Sequence, residues 1–168
     1  MRSLVFMSIS LLLAGPVSAE TSDLSYESFI DSDNRIKCLY GYVAEKTGDH
    51  ASAIHIFEDC IQRWNDVYSM IWLAQIYETG VGVEQDLAYA TALVKRGAEM
   101  DAGTAYSTIA RYHYGKALYQ GSGIAMNQAE GLKWLERAVA EGSTDAEVFM
   151  KHIEAGLTEA AVPDDISD

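Results

Sequence analysis

The chain is short of positive charge, of cysteine and of long apolar runs, and each shortage narrows what it can be. Lys and Arg number 12 against 25 Asp and Glu in 168 residues, a formal net charge of −13. So acidic a surface repels nucleic-acid phosphates and anionic lipid headgroups, and no nucleic-acid partner is expected. It keeps the protein soluble and speeds its encounter with a basic partner. Only two cysteines occur, Cys38 and Cys60. No Cys/His cluster has zinc spacing, and none of His50, His55, His113 and His152 belongs to an H-E-x-x-H helix, so neither a metal nor any other cofactor is expected. Outside the first residues no apolar run approaches the ~18 residues that span a bilayer. Asn34, Asn65 and Asn127 all miss the Asn-x-Ser/Thr pattern, which points to a bacterial periplasm over a eukaryotic secretory route.

The N-terminus reads as an export signal. Arg2 supplies a positive start, Leu4 to Ala14 an apolar stretch, and Val17-Ser18-Ala19 a small-residue cleavage pattern. Residues 1–19 are therefore expected to be a signal peptide. The remainder, with no stable membrane insertion, suits one domain of about 100–150 residues. Losing Arg2 leaves the product one unit more acidic. In an exported protein an even cysteine count reads as a disulfide, with two separate buried thiols as the alternative.

The body of the chain nearly repeats itself. Residues 69–103 and 105–142 each read as a helix, a Gly-rich turn, an Asx residue and a second helix. Repeats of this length signal a solenoid of helix pairs, which commonly binds other proteins. Residues 20–32 form a polar leading segment with a short helix. Ser32 or Asp33 is expected to cap a helix over 35–47, and Asp49 the next, to Trp64. Asn65 or Asp66 opens a helix to about Thr79, Asp86 one to about Met100, Thr104 one to about Tyr119, and Asn127 one to Ala140. Thr144 with Glu147 reads as a capping box for a last helix over 145–155. Residues 157–168 read as a disordered acidic tail. Aligning Ala74 with Ala110 gives a spacing of 36, whereas Asp86 with Asn127 gives 41. The five extra residues are therefore expected within Tyr114–Gln120. Gly41, Ala74 and Ala110 are expected to let each first helix approach its second.

Leu73-Ala74, Tyr77, Gly80, Gly82-Val83 and Gln85-Asp86, followed by Ala90, Leu93 and Ala98, resemble a Sel-one-like repeat, a relative of tetratricopeptide repeats. Ala110, Gly121, Gly123, Asn127, Trp134 and Ala138 match more loosely. Gly41, Gly48-Asp49, Ala53, Phe57 and Cys60 look like a tetratricopeptide unit. The resemblance covers about residues 33–155. It implies an all-α solenoid over 33–156, of about three helix pairs and a C-terminal capping helix. Exported relatives carry disulfides across a helix pair, which implies a Cys38–Cys60 bridge. The bridge would close a loop of about 22 residues, stabilising by roughly 3 kcal/mol.

The resemblance also implies a non-catalytic interaction module. Certain small exported members neutralise lipid-cleaving toxins in the periplasm, so the specific expectation is a periplasmic inhibitor or immunity protein. Its partner would be an exported toxin, such as a phospholipase, with a basic surface. A periplasmic regulator or scaffold of a sensor or envelope complex is the alternative. A cell-wall or β-lactam hydrolase is disfavoured. Ser32-Asp33-Asn34 and Lys46-Thr47-Gly48 reproduce two serine β-lactamase elements, but no serine has Lys three positions later. Both fit the ends of one helix better.

In such an architecture the first helix of each pair lines the concave face. Eight tyrosines fall there or just beyond: Tyr40, Tyr42, Tyr68, Tyr77, Tyr106, Tyr112, Tyr114 and Tyr119. Tyrosine offers large contact area with a polar tip at low entropy cost. By register the partner-facing set is expected to be Tyr42, Glu45, Tyr68, Ile71, Trp72, Gln75, Glu78, Arg111 and Tyr114. Tyr40, Tyr77 and Tyr112 are assigned to core packing.

Overall fold

The computed structural model describes residues 26–100 and 105–156. The signal peptide, residues 20–25, Thr104 and the acidic tail expected from sequence lie outside them. The described residues form eight helices and no strand: α1 (Glu27–Ile30), α2 (Lys37–Lys46), α3 (His50–Trp64), α4 (Val67–Thr79), α5 (Leu87–Glu99), α6 (Ala105–Gln120), α7 (Gln128–Ala140) and α8 (Thr144–Glu154). Helices α2/α3, α4/α5 and α6/α7 pack as pairs, and α8 packs on α7. This is the expected all-α solenoid of three pairs with a C-terminal helix.

Side-chain caps start the helices where the sequence places Asx residues. Asp49, Asp66, Asp86 and Asn127 accept from the backbone N–H of Ser52, Ser69, Tyr89 and Glu130 at 2.9–3.2 Å. Each carboxylate or amide oxygen satisfies one of the donors a helix start leaves open. Asn65, left-handed at φ 51°, closes α3 directly before Asp66 opens α4. Two starts differ from expectation. Helix α2 begins after Ile36 with no side-chain cap. Ser143, not Thr144, caps α8 by accepting from Ala146 N–H, so Thr144 is already helical and no capping box forms. Glu147 instead pairs with Lys151 at 2.6 Å.

The five extra residues do not lie within Tyr114–Gln120. The connections 80–86 and 121–127 have equal length, and the same bond closes each: Asp86 N–H to Tyr77 O and Asn127 N–H to Leu118 O. Register therefore runs at 41 residues through the first helix as well. The extra length sits ahead of the matched part of the helix: α6 begins at Ala105, three residues before Thr108, the counterpart of Val67 at the start of α4, and α5 ends at Glu99. The 36-residue alignment mispaired Ala74 with Ala110. Ala110 packs on Gly97 of the preceding pair, whose added Cβ would come within 3.0 Å. The partner of Ala74 is Gly115. A Cβ there would lie 3.0 Å from Gly131 O, so two helix backbones nearly touch inside the third pair.

The pairs stack through their turns. A Cβ on Gly82 would sit 2.4 Å from the Cβ of His50, the first residue of α3; one on Gly123 would sit 2.0 Å from the carbonyl oxygen of Leu87, the first residue of α5. Both glycines have φ above +60°. The same contact thus recurs from pair to pair. The buried core runs through it, from Phe57 and Ile61 through Met70, Leu73, Leu93 and Ala98 to Ala110 and Leu118. Cys38 and Cys60 form a disulfide across α2 and α3, Cα–Cα 6.0 Å. Beside it Lys37 is fully buried, donating to Ile30 O at 2.6 Å and pairing with Asp59 at 2.5 Å.

Candidate functional site

Helices α2, α4 and α6 lie side by side, so the outward residues of all three share one face. On α4 that face holds Tyr68, Ile71, Trp72 and Gln75, each half-buried, with Glu78 exposed one turn further on. Helical spacing of three and four residues puts them in one stripe. Tyr42 and Glu45 border it from α2, both half-buried. Tyr106, 43% exposed, borders it from α6.

The aromatic rings are continuous across the three helices. Tyr42 and Trp72 lie 4.6 Å apart at 55°, Tyr68 and Trp72 6.2 Å apart edge-on, and Tyr68 and Tyr106 5.2 Å apart edge-on. Phe57 supports Tyr68 from beneath at 6.4 Å. Burial, with Tyr106 and Tyr42 adding to it, pushes the Tyr68 phenol up to about 12. The Tyr68 phenol is therefore uncharged at any physiological pH. Lys46 Nζ lies 5.5 Å from the Tyr42 ring centroid and 5.1 Å from that of Trp72. Glu45 turns aside to His50, with its carboxylate 2.7 Å from Nδ1.

Two of the nine sequence-selected residues do not lie on this face. Arg111 is 2% exposed and Tyr114 6%. The reason is the register: a five-residue misalignment rotates a helix position by about 140° at 100° per residue. At 41-residue spacing Arg111 stands where Met70 stands, and Tyr114 where Leu73 stands, both core positions. Arg111 donates to Ala98 O at 3.1 Å and to Met100 O at 2.8 Å, closing the carbonyl end of α5. It also pairs with Glu141, which accepts from Thr108 at 2.9 Å and from Arg137 at 3.2 Å. Burial raises the Glu141 carboxyl, and these donors overcome it, holding the group below its ordinary range. Tyr114 packs on Trp134 at 5.4 Å.

The residues that α6 does present are Tyr106, counted among the tyrosines of the first helices but not in the partner-facing set, and Ile109, His113, Lys116 and Gln120, none of them in that set. The glycine turns carried the missing signal. Counting 41 from Trp72 and Gln75 reaches His113 and Lys116. Near them a cleft of about 30 Å3, lined by Glu78, Thr91, His113, Lys116 and Gln120, separates α4 from α6. A small-molecule site needs about ten times that volume.

The enzyme-like triplets have local roles. Asn34 accepts from Ile36 N–H, Ser32 from Asn34 N–H, and the Thr47 hydroxyl donates to Val43 O. Among the described residues, no three or more His, Cys, Asp or Glu are grouped to hold a metal ion.

The Sel1 repeat model matches residues 67–101 and 108–143, the same 41-residue register at its start. A Sel1 repeat protein from Oxalobacter formigenes superposes with a TM-score of 0.60 at 22% identity, covering 75% of this chain and 94% of that one. Helicobacter pylori cysteine rich protein B does so with a TM-score of 0.56 at 20% identity, covering 74% and 88%. Both share the fold. The comparison with curated proteins gives no match. A stack of such repeats is a protein-interaction module.

Proposed function

We propose, for a chain that belongs with the Sel1 repeat proteins, that the face of α2, α4 and α6 binds a basic protein surface. In its most specific form the partner is an exported toxin, such as a phospholipase, which this protein inhibits in the periplasm. One observation carries the binding reading: Tyr42, Trp72, Tyr68 and Tyr106 make a continuous aromatic strip over three helices, half open to solvent. Interface energy concentrates in such rings, where large rigid contact area comes with few rotamers to immobilise. The net charge of −13 supports a basic partner. An enzyme that works on anionic lipid must attract headgroups, and an acidic body with an aromatic anchor suits its mouth.

The periplasmic assignment is supported by the Cys38–Cys60 bond, a feature of oxidising compartments. Among the described residues no helix is long and apolar enough to cross a membrane. The test is capture from envelope extract by the wild-type protein and by Trp72→Ala. Basic proteins retained by the first and lost by the second are expected. Recovery of neutral or acidic partners alone sinks the reading. If the captured protein is a lipase, its lipid hydrolysis should stop at a one-to-one ratio; continued turnover removes the inhibitor version and leaves the interaction module.

A further inference from the structure

We propose that the Tyr42–Trp72 corner, bordered by Tyr68, is a receptor for one cationic side chain of the partner, held in the free protein by the chain's own Lys46. The proposal rests on the binding reading above and names the group that the face recognises.

The argument starts from where Lys46 is. It stands one turn after Tyr42 at the end of α2, exposed, on a stem that can swing into water. Among the described residues no carboxylate lies within ion-pair distance of it, although the chain holds twice as many acids as bases. Glu45, its neighbour, is committed to His50. The Lys46 ammonium instead lies over both rings, 5.5 and 5.1 Å from their centroids. Aromatic faces carry negative potential and attract a cation within about 6 Å. Two adjacent rings, 4.6 Å apart and tilted at 55°, add their potentials at that point. Tyr68 lies edge-on behind Trp72 and holds the indole in place.

A lysine lodged this way is an internal stand-in. A guanidinium fits the corner better, since its plane stacks on an aromatic face and is more weakly hydrated than ammonium. Replacing Lys46 costs little, because its ammonium returns to water. The acidic body supplies the long-range attraction for a basic partner, and the corner supplies the short-range seat.

The experiment follows the Trp72 indole N–H by NMR in the full chain, assigned with Trp72→Phe. Titrants are N-acetyl-arginine amide, tetramethylammonium chloride and the uncharged N-acetyl-citrulline amide, at matched ionic strength. The two cations are expected to shift the Trp72 resonance and citrulline not to. Lys46→Met should tighten the arginine response about threefold, because the competitor is gone. An equal response to citrulline, no response to either cation, or unchanged affinity in Lys46→Met overturns the proposal. Small-cation binding with partner capture unaffected by Trp72→Ala would instead remove the docking reading and leave the receptor. Loss of capture without cation binding would do the reverse.

Discussion

In the first Sel1 repeat Met70 and Leu73 point inward while Trp72 and Gln75 point outward; in the second, Arg111 and Tyr114 take the inward positions and His113 and Lys116 the outward ones. The backbone plan is the same, with equal turns and the same cap. The chemistry is exchanged. The first repeat seals its seam with apolar side chains and shows rings to solvent. The second seals its seam with a buried guanidinium bridging α5 and the end of α7, and shows polar groups. A repeat thus dictates which positions are inside without dictating what they are made of, and the exposed face need not be uniform along the stack.

The sharpest way to break this comparison is at Arg111. Arg111→Ala strands the carbonyls of Ala98 and Met100 and leaves Glu141 without its main cation, so a loss of about 3 kcal/mol is expected in urea unfolding. Arg111→Met, which copies the first repeat, should cost less than half as much. Equal losses would show that the apolar seam cannot be transplanted. Close behind comes the first pair. Replacing both Cys38 and Cys60 by Ala should cost about 3 kcal/mol, from a loop of 22 residues released in the unfolded chain. Retention of the wild-type unfolding midpoint would contradict that.

The outward positions separate binding from stability. Trp72→Ala should weaken partner binding at least about tenfold, and His113→Ala less than about threefold, read by titration calorimetry. Reversed magnitudes would move the binding face to the second repeat. The smallest effect expected is with acid. Asp59 is raised by burial, but hydrogen bonds from Lys37 and Arg63 more than offset this, so it joins Glu141 below the ordinary carboxylate range. A carboxyl with a depressed folded value stabilises fully above its unfolded pKa and loses that contribution as pH falls through the folded one. Unfolding midpoints should therefore hold above about pH 5 and decline below about pH 4. In Glu141→Gln the decline should be shallower.

Much of the fold was legible because helix punctuation is local. Asp49, Asp66, Asp86 and Asn127 announce their helices through a bond three residues long, and glycines announce the turns. The site was legible on α4, where the repeat pattern is dense, and illegible on α6. Small residues do not identify their partners: Ala110 serves the preceding pair through Gly97, and Gly115 serves its own through Gly131. Only the turn bonds at Asp86 and Asn127 separate the two roles. Ser143 was overlooked because Thr144 and Glu147 offered a more familiar spacing. Nor does local pattern foretell that Lys37 enters the core, since its partners Ile30 and Asp59 come from two other segments.

The bond between Cys38 and Cys60 stands in the first hairpin, whose outer side among the described residues meets only the short α1 and its flanking residues, Tyr26 and Asp33 among them. A linear array has two ends, and thermal fraying works inward from the looser one. With one end clasped, unravelling runs in a single direction, from α8 toward α2. The corner formed by Tyr42 and Trp72 is then among the last parts of the molecule to lose its shape.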